Sequence, residues 1–281
     1  AELSDRLLFK AVDLPNEYND SSSSTGLPVM LKQLVFGFFV ASQCLANPLR
    51  AHTPVEYLEV LQGEPANLIE HGVDLQAVLD QQRLATDLKG PYHFSLPVGC
   101  MGREVTKEKA YLAWYEIVDV KKETPREVAV LDLIRGAGST PLTVGSAEFL
   151  VSPAQRITEG PPSEIPHGLD HYKAYRILDA PSRELDVKLA ESVGPAARRV
   201  GKPLYLCVAA EEWHHDEHFP ASHRRACCVV YELDTQNCSK QISPIDQFGL
   251  TQISLSKSPW LCVRAMLLTK DVEQAPTAKA Q

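Results

Sequence analysis

The sequence predicts a mainly β protein of four degenerate three-stranded units, arranged as a barrel, a sandwich or a propeller-like array, with a helical insertion in the first unit. Three observations carry that prediction. An aromatic anchor followed by polar, apolar and acidic residues recurs at Phe9 in "LFKAVD", Tyr115 in "WYEIVD", Tyr175 in "AYRILD" and Tyr231 in "VYELD". Each anchor is followed by an apolar closing segment: "FSLPV" at 94–98, "LVSPA" at 150–154, "LCVAA" at 206–210 and "LCVRA" at 261–265. Finally, 20 prolines and 15 glycines across 281 residues punctuate the chain into short elements rather than long helices.

The openers read as strands because they alternate and are rich in aromatic and β-branched residues. In "HYKAYRILD", Tyr172, Ala174, Arg176 and Leu178 fall on one face, and His171, Lys173, Tyr175 and Ile177 on the other. Between opener and closer lie "REVAVLDLI", "RELDVKLAES" and "KQISPIDQFGLTQISL", each alternating again, the last broken at a turn-permitting glycine. The closers align residue by residue. Phe94, Leu150, Leu206 and Leu261 share one column, and Ser95, Val151, Cys207 and Cys262 the next. Spacing of this kind belongs to stacked or radially arranged repeats.

The first unit is expected to be interrupted over about 15–90. "TPVEYLEVL" offers Thr53 as an N-cap, Pro54 at the first helical position and Glu56 three residues in. Residues 73–88 place Val73, Ala77, Leu84 and Leu88 near one helical face. The apolar run 27–46 is broken by Lys32, Gln33, Ser42 and Gln43, which favours a buried helix over a membrane span. The expected units are therefore 1–100, 101–160, 161–215 and 216–270, followed by a flexible tail at 271–281.

A formal charge of −8 argues against a sequence-independent nucleic-acid binder, which needs clustered Lys and Arg to displace phosphate counterions. The chain begins at Ala1 rather than Met, and is read as the mature form of an exported, periplasmic or extracellular protein, or as a trimmed chain. Seven cysteines permit bridges in an oxidising compartment, the nearest group in sequence being Cys227, Cys228, Cys238 and Cys262, with Cys44, Cys100 and Cys207 read as reduced and buried.

The stretch "DHYKAYRILDAP", the "DQFG" at 246–249 and the "PLYLCV" and "SPWLCV" closers resemble a short repeated β module of secreted bacterial proteins of unknown function. The resemblance covers the third and fourth copies best. It departs where "ESVG" stands at 191–194 in place of "DQFG" and where the first two closers lack Cys. It implies an exported or surface protein and no particular catalytic residue.

The sharpest chemical signal is a histidine concentration around the third and fourth copies. His214, His215 and His218 in "WHHDEH", with His167 and His171 in "HGLDH" next, are the candidate ligands for a divalent transition metal such as zinc. Neither segment has the helical His-Glu-x-x-His register. Trp114, Trp213 and Trp260 are candidates for a carbohydrate-binding surface. Without a catalytic signature, the sequence points to an exported binding, structural or assembly subunit that docks to a protein partner or to its own copies. The alternative is a metal-dependent enzyme at the histidine-rich junction.

Overall fold

The computed structural model describes residues 56–268, apart from 106–109, 119, 121, 137, 158–161, 163, 167, 182–183 and 192–193. In chain order the strands are β1 (Tyr57–Pro65), β2 (Ile69–Ala77), β3 (Leu84–Pro97), β4 (Gly99–Cys100), β5 (Tyr111–Val118), β6 (Arg126–Asp132) and β7 (Thr140–Ile157). They continue as β8 (His171–Asp179), β9 (Leu185–Glu191), β10 (Gly194–His214), β11 (Glu217–Phe219), β12 (Ala226–Asp246), β13 (Gly249–Leu250) and β14 (Ile253–Leu267). No helix occurs among the described residues.

Openers and closers alternate around a closed antiparallel ring in the order β1, β3, β5, β7, β8, β10, β12, β14 and back to β1. The closer column identified in the sequence lies at one level of this ring. Phe94 pairs with Leu61, Leu150 with Tyr115, and Leu261 with Tyr231. In the third unit the register set by Tyr172 and Ala209 brings Tyr175 level with Leu206.

The opener of the first ring pair is thus β1, with Leu61 in the anchor column. Phe9, the expected anchor, lies outside the described residues, as does the expected helix over 27–46. Where helices are expected over 53–61 and 73–88, the described residues form β1 from Tyr57, the end of β2 and the start of β3. The Thr53-Pro54 start signal precedes a segment that pairs on both edges, with β3 and β14, and tertiary pairing overrides local capping chemistry. Within 73–88, the buried residues Val73, Leu75 and Ala77 have period two. A turn then reverses the chain, where the Asp80 carboxylate accepts the Ala77 N–H at 2.7 Å, so β3 returns along β2.

Inward side chains fill the ring at successive levels. The middle level holds Val60, Ser95, Trp114, Val151, Ala174, Cys207, Val230 and Cys262, each at most 2% exposed. The Trp114 indole N–H donates to the Ser95 hydroxyl at 2.7 Å, which satisfies the polar atom of the largest of them. One end is closed by four aromatic rings from equivalent closer positions, His93, Phe149, Tyr205 and Trp260. Their centroids are 5.6 Å apart for His93 and Phe149, 5.4 Å for Phe149 and Tyr205, 5.4 Å for Tyr205 and Trp260, and 4.3 Å for Trp260 and His93. Burial among them holds the His93 imidazole down at about 3, and therefore neutral.

The larger core lies outside the ring, beneath the strands that follow each opener. Each such strand runs back along its own closer and then crosses to the unit after next. β2 pairs with β3 and with the end of β10; β6 with β7 and with the end of β14. β9 pairs with β10 and with β4, and the far half of β12 with β14 and the end of β7. The exchange is reciprocal: first with third, second with fourth.

The outward anchor tyrosines fasten this exchange. Tyr115 donates to Asp246 at 2.8 Å, Tyr175 to Asp80 at 2.6 Å and Tyr231 to Asp132 at 2.9 Å. Asp132 and Asp246 end the crossing strands of the opposite units, and Asp80 lies in the turn that follows its crossing strand. Burial, then the neighbouring carboxylate, pushes all three phenols well above the ordinary range, so they remain donors. Leu61 has no hydroxyl to offer, and the strand that crosses to its unit ends in "ESVG" rather than "DQFG".

Candidate functional site at the third and fourth units

The "DQFG" turn of the fourth unit seats against the third unit. Gly249 has φ of 107°, a conformation that favours glycine, and the Asp246 carboxylate accepts the Phe248 N–H at 2.9 Å to tighten the turn. Phe248 then packs on Tyr115, His71 and His214, with centroids at 4.8, 4.5 and 5.1 Å.

Beneath that ring lies a buried polar cluster. Gln247 accepts from His171 Nε2 at 2.7 Å and from the Ser152 hydroxyl at 3.3 Å, and its amide N–H donates to Glu212 Oε1 at 2.5 Å. Glu212 is fully buried, and its Oε2 makes no hydrogen bond, lying 3.5 Å from His171 Nε2. Burial raises the Glu212 carboxyl to about 8 against the opposing effect of the Gln247 hydrogen bond, and the nearby Asp246 raises it further. Burial also raises Asp246 to about 6, against its bonds to Tyr115 and the Phe248 N–H, and lowers His171 to about 4. At neutral pH the cluster therefore holds a neutral acid beside a neutral imidazole, a pair of opposed shifts of the kind found at functional sites.

The candidate histidines are not brought into one set. His214 ends β10 and His215 forms the turn to β11, with φ of 53° and ring centroids 4.1 Å apart. His71 joins them at 5.7 Å from His214, and the accumulated imidazoles, after burial, lower the pKa of both His71 and His214. His218 pairs across the hairpin with Trp213, stacks on it at 4.6 Å and approaches Glu211 at 3.2 Å. Alternation along β10 thus sends His218 to the face opposite His214. His171 belongs to the buried cluster, and His167 lies outside the described residues. Among the described residues no group of three or more His, Cys, Asp or Glu could hold a metal ion.

The tryptophans are likewise divided. Trp114 and Trp260 lie 6.1 Å apart in and above the ring, whereas Trp213 sits outside it under the Arg83 guanidinium at 4.5 Å. Two cavities of about 280 and 430 Å³ open beside the β2–β3 hairpin, the first reaching Lys173 and the second His71. Neither is lined by Glu212 or His171.

Sequence reasoning passed over Glu212, Ser152 and His71, because nothing adjacent in the chain marks them. "DQFG" stood out as a motif, but its partners come from other strands. Among the described residues no helix is long and apolar enough to cross a membrane.

A closed ring of repeated antiparallel units, cross-tied by equivalent tyrosines, defines a β repeat protein whose strongest polar site lies where one unit's turn enters another. Residues 111–264, more than half of the chain, match the family described as a repeat of unknown function (DUF7450), and the chain belongs to that family. No curated protein and no solved structure matches it.

Proposed function

We propose that the chain is an exported binding or assembly module that presents its turns and hairpin ends to a protein partner, rather than an enzyme. The observation that carries this reading is the reciprocal pairing of first with third and second with fourth units. β2, β6 and β9 are hydrogen-bonded on both sides, so the array is a rigid frame with few open edges. Rigid frames with variable loops are a common platform for recognition. The net charge of −8 favours a partner with a basic face.

The test is sedimentation of the purified chain over a wide concentration range, together with cross-linking in extract from its native source. Self-association or one reproducible partner cross-linked at the turns supports the reading. A monomer at all concentrations, with no cross-linked partner, overturns it.

One observation favours the alternative of an enzyme at the same junction: the unpartnered Glu212 Oε2 beside His171. A neutral carboxylic acid can act as a general acid at neutral pH. Stoichiometric zinc, copper or iron in native material, lost on changing His214 and His218 to Ala, would turn the assignment to a metal-dependent enzyme.

A further inference from the structure

Alternation divides the cysteines by face. Cys227 joins the core outside the ring and Cys238 packs against it, while Cys207, Cys228 and Cys262 belong to the cluster inside. The vicinal pair Cys227 and Cys228 is thereby split, as neighbours on a strand must be. The three inward thiols sit on β10, β12 and β14, the strands where the ring closes. Cys207 and Cys228 are directly opposed across the β10–β12 seam. The Cys262 thiol is hydrogen-bonded to both Cys207 and Cys228.

We propose that these three cysteines form a thiol–disulfide site, in which Cys207 and Cys228 close one bond across the seam and Cys262 is the exchanging third thiol. Directly opposed residues on an antiparallel pair have Cα separations of about 4.5–5.5 Å, inside the range a disulfide spans. Cys228 is the entry point because it keeps part of its surface in solvent. Its hydrogen bond with Cys262 and then burial push its thiol well above the ordinary range, against the opposing guanidinium of Arg264 across the strand pair. Exchange is therefore slow at neutral pH and quickens as pH rises. The Cys228 thiolate attacks a small-molecule disulfide, forming a mixed disulfide and releasing one thiolate. The Cys207 thiol then loses its proton, attacks the Cys228 sulfur and expels the second thiol. Two cysteines are oxidised, one disulfide reagent is reduced to two thiols, and two protons leave the protein.

The experiment treats the intact chain with oxidised glutathione under native conditions, then alkylates, digests and maps peptides without reduction. The proposal expects one Cys207–Cys228 linked peptide, Cys238 alkylated, and a rise in melting temperature reversed by reduction. In the Cys228→Ser variant that bond is absent, and Cys207 joined to Cys262 in its place also supports the site. Because a serine variant can misfold, the mapping of the unmodified chain decides. Recovery of Cys207, Cys228 and Cys262 all alkylated after oxidation, or a bond to Cys227 or Cys238 instead, overturns the proposal. Neither result bears on whether the chain binds a protein partner.

Discussion

Replacing Glu212 with Gln should remove a contribution to stability that falls in the unmodified chain between pH 6.5 and 8. The carboxyl titrates near its ordinary 4.5 when unfolded and at about 8 when folded, so over that interval the folded chain holds the extra proton and the unfolded chain has released it. That contribution must then decline as pH rises toward 8, at about 1.4 kcal/mol per unit for one group. Below pH 6.5 other buried groups intervene. His171 and His93, lowered to about 4 and about 3, add stability as pH rises to 6.5, and Asp246, raised to about 6, subtracts it. Above pH 6.5 these imidazoles, with His71 and His214, still add stability as the unfolded chain releases its remaining protons. The readout is therefore the difference between the two proteins, which over the span to pH 8 corresponds to about 2 kcal/mol for Glu212. Gln keeps the shape and an oxygen for the Gln247 amide, but has no proton to release. Urea unfolding followed by circular dichroism at pH 6.5, 7.2 and 8 measures both proteins. Parallel slopes for the two would refute the assignment of Glu212 as a buried neutral acid.

The other expectations concern the packing and the turns. Trp114→Ala should cost about 3–5 kcal/mol in urea unfolding, because the ring loses the largest side chain of its middle level and Ser95 loses its donor; a cost under about 1 kcal/mol would mean that the interior is not close-packed. Gly249→Ala should lose roughly 1–3 kcal/mol, since φ of 107° strains any L side chain, and an unchanged unfolding midpoint would contradict that geometry. In equilibrium dialysis against zinc, the chain and its His214→Ala/His218→Ala variant should take up equal amounts, because the two imidazoles lie on opposite faces of the hairpin. Stoichiometric uptake abolished in the variant would show that they share a metal.

Much of the architecture was legible in the sequence because it rests on period and position. The closers aligned correctly, since their inward column must fit one ring interior and their outward column one outer core. The opener that pairs with the first closer was not found, because Leu61 stands there in place of the aromatic that marks the other three. The strands around 57–88 were hidden by a capping-like start and by apolar residues whose spacing satisfies two periods at once. Closeness in sequence does not tell which histidines or cysteines share a face, because alternation along a strand and pairing across a hairpin decide it. His214 and His218, or Cys227 and Cys228, are close in sequence and separated by the sheet. The polar cluster was invisible because Ser152, His171, Glu212 and Gln247 converge from four segments, and only the fold brings them within hydrogen-bonding distance.

Double-mutant cycles on the three cross-ring pairs, Tyr115 with Asp246, Tyr175 with Asp80 and Tyr231 with Asp132, read the reciprocal exchange most directly, using Tyr→Phe and Asp→Asn. If opposite units are fastened as described, each pair should show a coupling of about 0.5–3 kcal/mol, similar across the three. Couplings indistinguishable from zero in all three would contradict it.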